Sequence, residues 1–269
     1  MNNPFTRGRT AALAFALGAA ILAVPAIGAT DVTDIGALDQ AALASLPSFQ
    51  AANKQLNDYG ANLQKQYMGR ARKASQAEQS RLATEFQGKM AEKQRQLFGP
   101  LFQKAQVAIA SVASSKNLSV VVDKRIVVVG GQDITGSVRD LLTSVGDPVP
   151  PVSTPPPSKV GYVDQAAIDQ TPKVKAVTDA FGKFKQDQDK AAADKLKGAK
   201  TEADRETILK DYRKTLDDKQ NQTLKPMVES TRAAISDVAK SKGLILVVDK
   251  GNIVFGGTDI TKDVTEKLK

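Results

Sequence analysis

The sequence predicts an α+β protein made of two similar units, each with a small β body and a long antiparallel coiled-coil hairpin of helices. The first observation behind this prediction is a repeat, because LSVVVDKRIVVVGGQDIT from residue 118 returns as LILVVDKGNIVFGGTDIT from residue 244. The second is a long run of helix-forming residues before each copy, with apolar side chains at heptad-like spacing. Together they indicate a duplicated unit of about 110 residues.

The N-terminal residues 1–29 have the layout of a secretory signal peptide. Arg7 and Arg9 precede an apolar run over 11–24, and Gly28–Ala29 forms a small-residue exit. An uncleaved membrane anchor is the alternative, but this run is shorter than the roughly 20 residues that span a bilayer. We therefore expect cleavage after Ala29 and an extracytoplasmic location.

A proline-rich junction divides the rest of the chain. Residues 146–158, GDPVPPVSTPPPS, favour an extended spacer without regular structure. The predicted domains are a first repeat over 30–145, this linker over 146–158, and a second repeat over 159–269.

The composition excludes most chemistry. The chain has no cysteine and no histidine, which removes most metal sites and most pairs of nucleophile and base. We predict no catalytic residue, no cofactor and no metal. The formal charge of +9 raises nucleic-acid binding as an alternative, but the export signal and the acids interspersed among the lysines argue against it.

Each unit is predicted to begin with a short strand, Ile35–Leu38 or Val160–Val163, followed by a helix of about 25 residues and one of about 40. The boundary residues, for the first and second unit in turn, are Pro47 and Pro172 at the start of the first helix, Ser75 and Thr201 before the second, and Asn117 and Gly243 at its end. The two helices share an apolar seam and form a hairpin; two core helices of a compact bundle are the alternative. Pro100 and Pro226 are expected to kink the second helix without ending it.

The repeated passage predicts a strand, a turn and a second strand. The strands are Val120–Val122 and Ile126–Val129 in the first unit, and Leu244–Val248 and Ile253–Phe255 in the second. The glycine pairs that follow are read as turns, because no phosphate-binding motif accompanies them. A short terminal helix follows in each unit. Its N-cap is predicted to be Asp133 or Thr135 in the first unit and Asp259 or Thr261 in the second. The valine runs have no polar face, so each body must pair with another body, within the chain or between chains.

This combination resembles the Skp (OmpH-type) periplasmic chaperone family over essentially the whole chain after residue 29, twice. The resemblance is carried by a first strand with GxxD, a long hairpin, a proline before AI-x-x-VA-x-x-K, and then VVDK and DIT. It implies a periplasmic, ATP-independent chaperone without cofactors, whose helical tentacles surround unfolded outer-membrane proteins. It also implies a homo-oligomer, with a trimer favoured and an intrachain pair as the simpler alternative.

Two groups of side chains are candidate binding residues. The inner faces of the arms would contact the unfolded client, through Leu82, Phe86, Met90, Leu97, Ile208, Tyr212 and Leu216. The basic tips would contact anionic lipid, lipopolysaccharide or acidic client segments, through Lys65, Arg70, Arg72, Lys73, Lys195, Lys197 and Lys200. An ordinary solvated surface is the alternative for the tips. A structural envelope protein or docking scaffold without chaperone activity is the alternative for the whole chain. The first arm, diluted by Gly60 and Gly69, is expected to be the weaker binder or a spacer.

Overall fold

The computed structural model describes residues 22–23, 34–72, 74–151 and 154–269. It forms two compact units. Of the described residues, the first unit comprises those between 34 and 158 together with 252–257, and the second comprises 159–251, 258–269 and the pair 22–23. A short piece of the second repeat therefore belongs to the first unit. Most of the predicted signal peptide, including the cleavage site after Ala29, lies outside the described residues.

Helices and strands follow the same order in the two repeats, except that the second repeat has one additional strand, β7. The elements are β1 (Leu22–Ala23), β2 (Ile35–Leu38), α1 (Gln40–Ala44), α2 (Pro47–Ala71), α3 (Gln76–Ser115), β3 (Val120–Asp123), β4 (Gln132–Asp133), α4 (Thr135–Thr143), β5 (Val160–Val163), α5 (Gln165–Asp169), α6 (Pro172–Gly198), α7 (Glu202–Ser241), β6 (Leu246–Asp249), β7 (Ile253–Gly256), β8 (Thr258–Asp259) and α8 (Thr261–Lys267). The short helices α1 and α5 were not anticipated from the sequence.

The helical hairpins have the predicted ends. The Ser75 hydroxyl accepts from the backbone N–H of Glu78, and the Glu78 carboxylate accepts from the backbone N–H of Ser75, which is a capping box. Thr201 and Asp204 repeat this arrangement in the second unit. Asn117, with φ of 54°, ends the first hairpin in the left-handed conformation, and Gly243 does so in the second. Helices α3 and α7 continue through Pro100 and Pro226, as predicted.

Each body is a four-stranded sheet with the same arrangement. The first unit has the strand order β4-β2-β3-β7, and the second has β8-β5-β6-β1. Three strands of each sheet run parallel, and the fourth strand is antiparallel to β3 in the first unit and to β6 in the second. The strand that completes each sheet therefore comes from a distant part of the sequence.

The predicted strand–turn–strand hairpin is wrong in both repeats. The Asp123 carboxylate accepts from the backbone N–H of Arg125 at 2.8 Å and begins a 3₁₀ turn over Lys124–Ile126. This turn carries the chain away from β3, so the predicted strand Ile126–Val129 does not form. In the second repeat Ile253–Gly256 is a strand, but its partner is β3 of the first unit and not β6.

The recurring Asp-Ile-Thr ties the last helix of each repeat to its first strand. The Asp133 carboxylate accepts from the backbone N–H of Thr135 at 2.9 Å, and the Thr135 hydroxyl accepts from the backbone N–H of Asp39 at 3.0 Å. The same bonds join Asp259, Thr261 and Asp164 in the second unit. Helices α4 and α8 have Ile134 and Ile260 at the N-cap and no side-chain cap, so the predicted capping by these aspartates or threonines is wrong. The threonines instead fix the end of β2 and of β5.

The core of each body lies between the sheet and the nearest turns of the hairpin, where Leu38, Phe49, Ile109 and other apolar side chains meet in the first unit. Glycine at the centre of the first strand permits this packing. A Cβ added to Gly36 would lie 2.7 Å from Cδ1 of Leu118, and one added to Gly161 would lie 2.5 Å from Cδ1 of Leu244. Each of these leucines therefore packs across the strand where only a hydrogen atom leaves room.

Candidate functional site

In the first arm, α2 and α3, the predicted client-binding residues form the internal seam of the hairpin. Leu82 is buried with Leu63, Tyr67 and Ala71, and both Phe86 and Met90 are half-buried against the same cluster. The rings of Tyr67 and Phe86 meet edge to face with their centroids 5.8 Å apart. The remaining predicted residue, Leu97, is half-buried against the body core. Helix α2 thus occupies the face that the sequence assigned to a client.

Gly60 takes part in this packing and does not merely dilute the helix. A Cβ at Gly60 would stand 3.2 Å from the terminal methyl carbon of Met90. The glycine lets the Met90 side chain approach the backbone of α2 closely. Gly60 therefore supports the packing of the first arm, and the expectation that this arm is the weaker client binder or a spacer stays a prediction.

The second arm, α6 and α7, has no buried side chain over most of its length. Ile208, Tyr212 and Leu216 are half-buried, and between residues 182 and 223 no side chain is buried. The Tyr212 hydroxyl donates to Asp189, whose carboxylate also pairs with Lys185 at 2.7 Å. The Lys185 ammonium and the Tyr212 hydroxyl lower the pKa of Asp189. Polar contacts thus hold the second arm together where the first arm uses apolar ones.

An aromatic surface at the root of the first arm was missed in the sequence. Phe49 and Phe98 are buried, but Phe102 is 54% exposed while its ring lies 5.8 Å from that of Phe49 and 6.0 Å from that of Phe98. We call these three residues the root patch. Their signal in the sequence is the spacing of Phe98 and Phe102 around Pro100, together with a phenylalanine just after Pro47.

The corresponding region of the second arm is a cleft between α5, α6 and α7. Its apolar lining is formed by Ile168, Val174, Leu224, Met227 and Val228, and its volume is about 210 Å³. We call it the root cleft. Smaller side chains stand here in place of the aromatic rings of the first unit, so a surface depression replaces an exposed ring.

The predicted basic tip residues are exposed where they are described. Arg70 lies 4.0 Å from the Glu85 carboxylate and 5.4 Å from the centroid of the Tyr67 ring, and Lys197 pairs with Asp194 at 2.9 Å. The other described tip cations are exposed and form no ion pair with a described residue; they are Lys65, Arg72, Lys195 and Lys200. Lys73 lies outside the described residues.

No group of three or more acidic side chains in the described ranges is placed to hold a metal ion. No described helix combines the length and the hydropathy needed to cross a membrane. Two β bodies, each carrying a long helical hairpin with apolar surface at its root, define an α+β class of protein with helical hairpin arms.

Comparison with protein families identifies that class. The family described as Outer membrane protein (OmpH-like) matches residues 49–142 and again residues 159–268, and the chain belongs to this family. The family is periplasmic, and its members are chaperones of unfolded outer-membrane proteins and not enzymes. Neither the curated proteins nor the solved structures contain a match to the chain.

Proposed function

We propose that this chain is an ATP-independent periplasmic holdase that binds unfolded outer-membrane β-barrel proteins between its helical arms and prevents their aggregation. The observation that carries the proposal is the pair of family matches; the first begins two residues into α2 and covers the rest of its hairpin, and the second covers its hairpin completely. The proposal includes removal of residues 1–29 on export and assembly into a homo-oligomer, for which the resemblance to the family favours a trimer.

The root patch and the root cleft support this function physically. An unfolded outer-membrane strand carries alternate apolar side chains, and these need many weak apolar contacts of tolerant shape. Phe102 offers an exposed aromatic face, and Met227 in the root cleft offers a flexible thioether side chain. Leu209, which is 39% exposed, adds an apolar contact along the second arm.

The seam residues contribute in a different way from the one first predicted. Leu82 is buried, so the first arm has to open before this side chain meets a client. In the second arm Ile208, Tyr212 and Leu216 are already half-exposed, and no side chain between residues 182 and 223 is buried where α6 meets α7. We therefore place the adaptable contacts in the second arm and the fixed ones at the roots.

Replacing Phe102 by serine is expected to weaken client holding. The chain concentration that halves light scattering of a urea-diluted outer-membrane protein should rise by about fivefold, because one exposed aromatic contact is lost. Val149→Ser is the matched control, since Val149 is an exposed apolar residue of the linker, 74% accessible. Equal activity of the two variants would remove the root patch from the site. If the unaltered chain leaves scattering unchanged, the chain is a structural scaffold and not a holdase.

Charge reversal at the first tip is expected to reduce attachment to anionic vesicles. Each basic residue near an anionic surface contributes about 1 kcal/mol, so Arg70→Glu with Arg72→Glu should weaken binding at low salt by at least about tenfold. The control, Lys54→Glu with Arg95→Glu, changes the net charge equally at two exposed positions away from the tip. Vesicle co-sedimentation measures both. Binding that is unaltered in the tip variant would assign these cations to an ordinary solvated surface.

A further inference from the structure

The three positions of the root patch carry smaller side chains in the second repeat, and these side chains line the root cleft. By the alignment of the repeats, Phe49, Phe98 and Phe102 correspond in this order to Val174, Leu224 and Val228. In the first unit the centroids of the three rings lie 5.8 to 6.4 Å apart, so the rings fill the space at the root of the hairpin. In the second unit the corresponding helices leave a cleft of about 210 Å³. The root cleft is therefore an opening where the related repeat holds aromatic rings.

The root cleft has the size and the lining that one aromatic ring needs. An apolar cavity of about 150 Å³ binds benzene, and the volume of the root cleft exceeds this value. Ile168 and Leu224 are buried and form fixed walls, whereas Met227 is half-buried. A thioether beside an aromatic ring is a favourable contact, and the flexible methionine side chain adapts to the ring that enters. The cleft can thus take up a ring supplied by another molecule.

The rim of the root cleft adds hydrogen-bond acceptors to this apolar interior. Asp169 and Asp179 both line the cleft, and Asp179 stands where the first repeat has Lys54. The Asp169 carboxylate accepts from the Gln165 amide at 2.7 Å, and the Asp179 carboxylate accepts from the Lys175 ammonium at 2.8 Å. A carboxylate has about four acceptor sites, so each can accept a further bond from a ligand. The ligand that fits is an aromatic ring with a donor at its edge.

We propose that the root cleft binds single tyrosine side chains of unfolded outer-membrane strands. The ring lies against Val174, Leu224 and Met227, and the hydroxyl donates to a rim carboxylate. The inference rests on the proposed function and names the client side chain that this site recognises. Outer-membrane strands carry girdles of aromatic residues beside their apolar band, and tyrosine is enriched at membrane interfaces. A tyrosine has an apolar body and a polar tip, which matches the apolar walls and the acidic rim of the cleft.

Methyl resonances of the methionines test this binding, because the chain after residue 29 contains only Met68, Met90 and Met227. The processed chain is purified from the periplasm with ¹³C-methyl methionine and titrated with a short soluble peptide that carries one tyrosine. A bound ring should shift the Met227 resonance saturably and leave Met68 and Met90, which lie in the first arm, in place. The same peptide with phenylalanine should bind about fivefold more weakly, since it lacks the hydroxyl donor. The peptide with leucine should bind at least about tenfold more weakly.

Two variants separate the ring contact from the rim contact. Val228→Phe restores the ring that Phe102 provides in the first repeat, so it should fill the cleft and weaken binding of the tyrosine peptide by at least about tenfold. Leu209→Phe is the matched control, since it adds the same ring at an exposed position of α7 outside the cleft lining. Asp169→Ala with Asp179→Ala should bind the tyrosine and phenylalanine peptides equally, because the rim acceptors are gone.

Several results would contradict the proposal. No shift of Met227, equal shifts of all three methionines, or equal affinity for the leucine peptide would remove the tyrosine site, as would unchanged binding by Val228→Phe. A Met227 resonance that moves with protein concentration alone, and no longer does so in Phe102→Ser, would assign the cleft to a ring of a second copy. The titration is independent of light scattering. A chain that shows the Met227 response but leaves scattering unchanged therefore loses the holdase function and keeps this site, and the opposite pair of results removes the site alone.

Discussion

Replacing Gly256 by valine is expected to lower the free energy of unfolding by about 3 kcal/mol or more. Gly256 has a φ of +67°, in the left-handed region that a β-branched residue adopts only under strain. A Cβ at this position would also lie 2.2 Å from the carbonyl oxygen of Ser119. Valine therefore disfavours the pairing of β7 with β3 in two ways: it strains the backbone at position 256, and its Cβ clashes with the Ser119 carbonyl of the neighbouring strand. Urea unfolding followed by circular dichroism measures the effect.

Gly130→Val is the matched control, because Gly130 is the same residue of the other repeat. Its φ is +83°, yet an added Cβ there would meet nothing within 4 Å. Only backbone strain remains, and the expected loss is about 1 kcal/mol when the measurement is made on dilute, unassociated chains. If the two variants lose equal stability, the docking of β7 contributes nothing to the first unit.

Replacing Asp123 by alanine is expected to lower the free energy of unfolding by about 2 to 3 kcal/mol. The Asp123 side chain is fully buried. Its carboxylate accepts from the backbone N–H of Arg125 at 2.8 Å, from the Arg125 guanidinium at 2.7 Å and from the Gln40 amide at 3.0 Å. Alanine removes the acceptor and leaves the Gln40 amide and the Arg125 N–H without their partner.

Asp249→Ala provides the comparison for this variant. Asp249 occupies the same place in the second repeat, but it is exposed and is followed at the second position by Gly251 instead of an arginine. Its carboxylate accepts from the backbone N–H of Gly251 at 2.7 Å. Losing this cap is expected to cost about 0.5 to 1 kcal/mol. Equal losses in the two variants would contradict the role given to the buried contact with Arg125.

The protein is expected to lose stability in acid, because two of its carboxylates, Asp123 and Asp133, have lowered pKa values in the folded state. The Arg125 guanidinium lowers the pKa of Asp123, and the Lys124 ammonium with the Thr135 hydroxyl and N–H lowers the pKa of Asp133 to about 2. A carboxylate whose folded pKa is lowered stabilises the protein above its unfolded pKa and loses that contribution as the pH falls through the folded value. The free energy of unfolding should therefore fall as the pH is lowered from about 4 to about 2. The fall should be less steep in the Asp123→Ala variant, as urea unfolding at a series of pH values would measure.

The helices were predictable because their ends are encoded locally. The Ser75 and Thr201 caps, the prolines at the first helical position and the left-handed Asn117 and Gly243 each act through neighbours in sequence. The strands that close the sheets were not predictable. Val127–Val129 and Ile253–Phe255 have the same local pattern, yet one is exposed and the other is paired, because strand formation depends on the partner that tertiary structure supplies.

The binding residues were predicted only in part, for a related reason. A heptad pattern in α3 and α7 locates an apolar seam, but it does not tell whether a second helix or a client covers it. The structure places Leu82 under α2 and leaves Phe102 in solvent. Phe102 gave no periodic signal, since its importance comes from stacking on Phe49 of the other helix of the hairpin.

The sheet of the first unit is completed by β7, a strand that lies in the second repeat. The β3 edge is synthesised in the first half of the chain, and the residues that close it follow only near the C-terminus. The sheet of the first unit therefore stays unfinished until a segment roughly 130 residues further along the chain reaches it and the loop between the two strands closes. Tags or truncations at the C-terminal end should consequently disturb the N-terminal half of the protein first.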